Sequence, residues 1–206
     1  REIREAFSLV LGNGDPSVLQ YSTTEGFLPL REYLAGVMAD RGVAAEADNI
    51  LMTNGSQQAL DLLGKLFINP GDAVLVERPS YLGALQTFSS YQARFVAVPA
   101  DDGGIIVEAL ERSIIQENPK LIYLTPTFNN PTGITLDLAR RRAVAELAGK
   151  YGVPLIEDDP YGELRYGGEP LPPLKSFDRS GRVIYLSTFS KTIAPGLRLG
   201  WITADS

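Results

Sequence analysis

The sequence predicts an α/β fold, a three-layer αβα arrangement in which helices cover both faces of a mostly parallel central sheet. Three observations predict it. Short runs of continuous apolar character recur along the chain, and amphipathic helical patterns lie between most of them. Strands apolar on both sides need cover on both sides, which a helical crossover between parallel strands provides. The motif-bearing turns also follow the carboxyl ends of the predicted strands, where ligands bind in such folds.

The chain opens within what reads as a helix, Arg1 to about Leu11, with no start signal before it. It stops soon after an apolar run, so both ends are expected to be cut from something longer. Helical patterns follow at Leu30–Ala39, at Ser56–Phe67, at Tyr81–Tyr91, at Ile106–Gln116 and at Asp137–Tyr151. In the second, Ala59, Leu60, Leu63, Leu66 and Phe67 recur at helical spacing. Strands are expected at Ile50–Met52, Ala73–Val76, Arg94–Val98 and Leu121–Leu124, then at Pro154–Ile156, Val183–Leu186 and Leu199–Thr203. Gly167 to Pro173 is the one Pro/Gly-rich patch and reads as an ordered loop, because the strand rhythm resumes after it.

A chain of 206 residues, 44% apolar and 21% charged, is long enough for a sizeable core. Its net charge of -6 argues against nucleic acid as the partner of this segment. No apolar run is long enough to span a bilayer and no signal-peptide pattern opens the chain, so the cytoplasm is the expected compartment. There is no cysteine and no histidine, which excludes disulfides, Cys/His zinc sites and His-based triads here. No metal is expected. A catalytic proton carrier must then be Lys, Tyr, Asp or Glu.

The richest stretch runs from Val183 to Trp201: an apolar strand, small hydroxyl residues, Lys191, a Pro-Gly turn, Arg198 and a second strand. Just past a buried strand Lys191 is expected to be partly desolvated, and a desolvated amine loses its proton more readily and attacks carbonyls. Thr188, Ser190 and Arg198 together suit a phosphate. These parts suit pyridoxal 5'-phosphate, whose aldehyde takes a lysine and whose phosphate needs donors and positive charge.

Four other turns supply partners, each with a plainer alternative. Gly55, Ser56 and Gln57 open a helix and present backbone N–H groups to an anion, although Ser56 alone reads as an ordinary N-cap. Tyr81 offers a ring for stacking, although a core tyrosine fits as well. Asn130 lies in an Asn-Asn-Pro-Thr-Gly turn and has an amide for a phenolate oxygen. Asp158, nearer the apolar run than Asp159, is the better carboxylate for a pyridine nitrogen, and Tyr161 follows it with a hydroxyl.

Tyr21 to Gly26, Gly55 to Leu60, Arg78 to Tyr81, Asn130 to Gly133 and Ser190 to Arg198, in that order and spacing, resemble the large domain of fold-type-I pyridoxal-phosphate aminotransferases of class I/II. The nearest likeness is to the branch of 2-aminoadipate and related aminotransferases. The resemblance implies that residues 1–20 end an N-terminal helical region, that 21–206 form the cofactor-binding large domain, and that the C-terminal small domain is absent. It implies Lys191 as the lysine that condenses with the cofactor and moves the proton, Asp158 at the pyridine nitrogen, and Asn130 and Tyr161 at the ring oxygen. Tyr81 would stack on the ring. Ser56, the backbone of Gly55 and Gln57, Thr188 or Ser190, and Arg198 would hold the phosphate. Tyr21 would reach a neighbouring subunit's cofactor, which implies a homodimer. An amino acid and a 2-oxo acid would be the substrates. A lyase or racemase on the same cofactor, or the effector domain of a MocR-type transcription regulator, are the alternatives.

Overall fold

Alternate residues of the apolar runs enter two different cores, which is what makes the fold three layers deep. The computed structural model describes residues 2–205, so the expected helix start at Arg1 and the last residue, Ser206, lie outside it. In chain order the elements are α1 (Glu2–Gly12), α2 (Leu28–Asp40), β1 (Ile50–Thr53), α3 (Ser56–Phe67), β2 (Ala73–Glu77), α4 (Leu82–Ser90) and β3 (Arg94–Val98). There follow β4 (Ala100–Asp101), β5 (Gly104–Ile105), α5 (Val107–Glu117), β6 (Leu121–Leu124), α6 (Leu138–Tyr151), β7 (Leu155–Asp158), β8 (Val183–Thr188) and β9 (Gly200–Thr203).

Seven strands form one sheet in the order β1-β9-β8-β7-β6-β2-β3. β8, β7, β6, β2 and β3 run parallel, while β9 lies antiparallel to both of its neighbours. On one face Val74, Val76, Leu121, Tyr123, Ile156 and Leu186 meet α3 and α4. On the other, Leu75, Ile122, Leu124, Leu155 and Val183 meet α5 and α6. That same face continues over β1, β8 and β9, where Ile50, Tyr185 and Trp201 pack on Leu34 and Met38 of α2. Successive residues of a strand point to opposite faces, so a run apolar at every position feeds both cores. Each fully buried Leu or Phe contributes on the order of 1.5–3 kcal/mol.

Four strands run on beyond their apolar stretch into polar residues: Thr53, Glu77, Asp158 and Thr188. Pairing holds them there, with Glu77 opposite Val98, Asp158 opposite Leu186 and Thr188 opposite Gly200. Polar side chains are thereby fixed at the carboxyl ends of strands. The sequence reading also missed the short β4–β5 hairpin, whose turn is Asp-Asp-Gly-Gly. Asp137 caps α6 by accepting the Arg140 N–H at 2.9 Å. α1 buries none of its residues, and Phe7 and Leu9 stand exposed on it. Among the described residues no helix is long and apolar enough to cross a membrane.

Candidate active site

A cleft of about 370 Å³ opens at the carboxyl ends of the parallel strands. All the residues expected from the sequence line it except two: Gly55, which lies behind Arg198, and Tyr21, which is fully exposed elsewhere. The cleft has an acidic end, a basic end and walls of rings and amides.

Asp158 supplies the acid. It is 3% exposed, and its Oδ2 accepts the Tyr123 hydroxyl at 2.8 Å. Its Oδ1 is buried with no partner among the described residues. Burial pushes the carboxyl up to about 6; the Tyr123 hydrogen bond opposes this and Asp159 adds to it. The choice between the two acids follows from strand parity. Asp158 shares a face with Tyr123, whereas Asp159 turns to the other face, where its Oδ2 accepts from Arg41 Nη2 at 2.6 Å and from the Tyr185 hydroxyl at 3.1 Å. The Arg41 guanidinium also bonds the Tyr185 hydroxyl. A carboxylate oxygen left bare in a dry site suits a cationic N–H, which would relieve its desolvation.

The basic end is the start of α3. Gly55 is its N-cap at φ 78, with no side-chain cap, so the amides of Ser56 and Gln57 remain available at the positive end of the helix. Ser56 lies one residue inside the cap, which removes the plain N-cap reading. A Cβ on Gly55 would stand 2.5 Å from Arg198 Nη2, so glycine lets the guanidinium lie against the turn. A Cβ on Gly200 would meet the Gly55 carbonyl carbon and the Ser56 nitrogen at 2.7 Å, so β9 also approaches this turn only because it carries glycine there. Arg198 forms no ion pair with a described residue; its Nη1 donates to the Pro195 carbonyl at 3.3 Å. Thr188 Oγ1 is 2.9 Å from both the Leu199 carbonyl and Ser190 Oγ, and it accepts the Ser190 N–H at 3.1 Å. Thr188 thus staples its own turn and leaves Ser190 as the freer hydroxyl.

The walls are Tyr81, Tyr161, Asn130 and Thr125. A Cβ on Gly83 would lie 2.5 Å from the Tyr81 ring, so glycine lets that ring fold over the start of α4. The Asn130 side chain bonds no other described residue. Lys191 reaches across the cleft, its Nζ 5.9 Å from the centre of the Tyr161 ring. One expectation is corrected here: Lys191 is exposed, not partly desolvated. It sits three residues beyond the end of β8 on the turn at the cleft mouth, where this chain places nothing over it.

The sequence reading missed Thr125, Pro160 and Pro195 on the cleft wall, and Tyr123 beneath Asp158. The last had a legible signal, since a tyrosine inside an aliphatic strand needs a partner for its hydroxyl. Arg141 had none. Wholly buried, it donates to the carbonyls of Leu136 (2.8 Å) and Pro126 (2.9 Å) and to Thr127 Oγ1 (2.8 Å), fixing the loop that ends in Asn130. Among the described residues no group of three or more acids could hold a metal ion. The donor set fits the cofactor expected from the sequence: anion donors at one end, a bare carboxylate oxygen at the other, and aromatic rings with a free amine between amide-bearing walls.

The family profile described as aminotransferase class I and II matches residues 2–206. The chain is 49% identical to aromatic-amino-acid aminotransferase 1 of Thermococcus litoralis, covering 98% of this chain and 50% of the relative. The chain thus spans about half the length of the curated relatives it matches. It superposes on the kynurenine aminotransferase of Pyrococcus horikoshii, solved with PMP, at a TM-score of 0.92 and 46% identity, over 98% of this chain and 52% of that one. On the α-aminoadipate aminotransferase LysN of Thermus thermophilus, complexed with N-(5'-phosphopyridoxyl)-L-leucine, the TM-score is 0.85 at 42% identity, over 91% and 48%. The HTH-type transcriptional regulator YjiR of Escherichia coli is 40% identical over 95% of this chain and 42% of its own length.

Proposed function

The chain belongs to the class I and II aminotransferases, and on that premise we propose that it is the cofactor-holding part of an enzyme that moves an amino group from an L-amino acid to a 2-oxo acid. Donors of the aromatic, 2-aminoadipate or branched-chain type are the candidates, supported by the named relatives for the first two. The observation that carries the reading is one cleft in which the unpartnered Oδ1 of Asp158, the unpaired guanidinium of Arg198 and the amine of Lys191 face a common space.

Pyridoxal 5'-phosphate, when bound, supplies an aldehyde for amine exchange and a ring that accepts electrons from the substrate's Cα–H bond. Arg198, Ser56, Ser190 and the amides of Ser56 and Gln57 would hold its phosphate, with Thr188 stiffening the turn; the Gly55 N–H, expected to take part, is instead donated to the Thr53 carbonyl at 2.9 Å. Asp158 keeps the ring nitrogen protonated through Oδ1. Asn130 and Tyr161 bond the ring oxygen, and Tyr81 covers one ring face. The Nζ of Lys191 takes up and returns the proton of the substrate Cα. We assign the working form as a homodimer, supported by the exposed apolar residues of α1 and by Tyr21, which this chain leaves free to reach a second copy.

The test is a donor panel with 2-oxoglutarate on the full-length protein, reading glutamate. Aromatic amino acids or 2-aminoadipate should give turnover. Failure with every donor would favour the second reading, an effector domain of a transcription regulator, which the 40% identity to YjiR supports. Specific DNA binding by the full-length protein would then be the outcome.

A further inference from the structure

Glu77 has no place in the chemistry above, yet the fold spends a buried carboxylate on it. It ends β2 and does not line the cleft. It forms no ion pair with a described residue. One oxygen, Oε2, accepts the Thr125 N–H at 3.0 Å and the Asn129 Nδ2–H at 2.8 Å. Asn129, 4% exposed, in turn accepts the Thr132 hydroxyl at 3.0 Å on its Oδ1 and the Gly133 N–H at 2.6 Å on its carbonyl, while its own N–H donates to the Ile134 carbonyl at 2.8 Å. The Asn130 turn is therefore closed on Asn129, and Asn129 and Thr125 hang from one carboxylate oxygen.

A carboxylate without a cation is a costly way to fill space, since an apolar side chain of similar volume gives equal or greater stability. Its merit is directional: two N–H vectors are tied to one atom, which fixes the Thr125 and Asn130 walls relative to each other. We propose that Glu77 is a positioning residue of this site, its Oε2 setting where Thr125 and the Asn130 amide meet a bound cofactor ring. The inference rests on the cofactor reading above. Burial pushes the Glu77 carboxyl up to about 7, with the Thr125 and Asn129 bonds holding it down, so those two donors are what favour its charged form.

The test uses the full-length holoenzyme and four variants: Glu77→Ala, Glu77→Gln, Asn129→Ala and the double variant Glu77→Ala with Asn129→Ala. Two quantities are read, the pH midpoint of the visible cofactor band, which responds to the ring-oxygen partner, and kcat against KM. Glu77→Ala should move the midpoint by roughly one unit and lower kcat about tenfold with KM little changed. Asn129→Ala should do the same, and the double variant should be no worse, because both remove one linkage. Glu77→Gln keeps an acceptor oxygen and should restore both readouts. If Glu77→Ala fails to fold, Asn129→Ala and Glu77→Gln carry the test. A visible band whose midpoint and kcat stay at wild-type values in Glu77→Ala or Asn129→Ala overturns this inference alone. A wild-type holoenzyme without a visible band overturns the cofactor reading and the inference together.

Discussion

Asp158 and Tyr123 show how a single buried contact tunes the site. The tyrosine donates to one carboxylate oxygen and leaves the other bare, so the acid stays poised near neutrality, at about 6. Removing the donor in Tyr123→Phe takes away an interaction that favours the charged form. The Asp158 carboxyl should then rise further, and the acid limb of the rate profile should move up by roughly one pH unit or more. A pH–rate series on the full-length enzyme reads this. Asp158→Asn should cost about two orders of magnitude or more in turnover, because an amide cannot hold the ring nitrogen's proton in place. Lys191→Ala removes the proton carrier and should cost about 10³-fold or more, measured as glutamate formed per unit time. Neither substitution should disturb cofactor-free folding greatly, since Lys191 is exposed and an amide in place of Asp158 removes a charge that burial disfavours.

At the level of elements, the close approach of β9 to the start of α3 is the feature most open to a single methyl group. Gly200→Ala would drive a Cβ into backbone at 2.7 Å, and neither neighbour is a side chain that can swing away. The expected outcome is a loss of about 1–3 kcal/mol in stability, together with weaker cofactor binding of about tenfold or more as the Ser56 amide shifts. Calorimetry and a cofactor titration measure the two effects. Gly196→Ala is the matched control, because a Cβ there meets nothing within 4 Å. The elements themselves were legible because hydrophobicity marks strands fed by two cores: Leu121–Leu124 and Ser56–Phe67 fall where the apolar pattern puts them. What hydrophobicity cannot mark is pairing beyond the apolar run. Asp158 and Thr188 are strand residues because hydrogen bonds to neighbouring strands continue, and the antiparallel direction of β9 follows from a tight return after Arg198, which a local pattern does not encode. The cleft was legible as a set of turns, since each turn residue has its own chemistry. Glu77 and Arg141 were not, because their roles arise only when β2, β6 and α6 lie side by side.

The molecule as a whole stores several protons that an unfolded chain would release. Burial pushes Glu77 and Glu157 up to about 7 and Asp158 up to about 6. An unfolded chain ionises the same groups near about 4. The folded chain therefore holds more protons between about pH 4 and pH 7, and its stability falls as pH rises through that window. Four acids, Asp15, Asp101, Glu111 and Asp178, are lowered and act in the opposite sense. The Arg140 guanidinium holds Asp101 at about 2, and Asp178, though burial pushes it up, is brought to about 2 by the amides of Val183 and Ser180. Their contribution is present above about pH 4 and is lost as the medium is acidified towards pH 2. Thermal melts of this chain should give the highest Tm near about pH 4–5, with a steady fall towards about pH 7. A Tm that rises from about pH 5 to about pH 7 would contradict the assignment of Glu77, Glu157 and Asp158 as groups that burial makes harder to ionise.

The central claim is that one particular amine meets the cofactor. There are five lysines to choose from, Lys65, Lys120, Lys150, Lys175 and Lys191, and only the last lines the cleft. Borohydride reduction of the full-length holoenzyme followed by peptide mass mapping reads the attachment point directly. The account predicts a phosphopyridoxyl mass on the peptide carrying Lys191 and on no other. That mass on a different lysine, or its absence from every peptide of a cofactor-saturated protein, would contradict it.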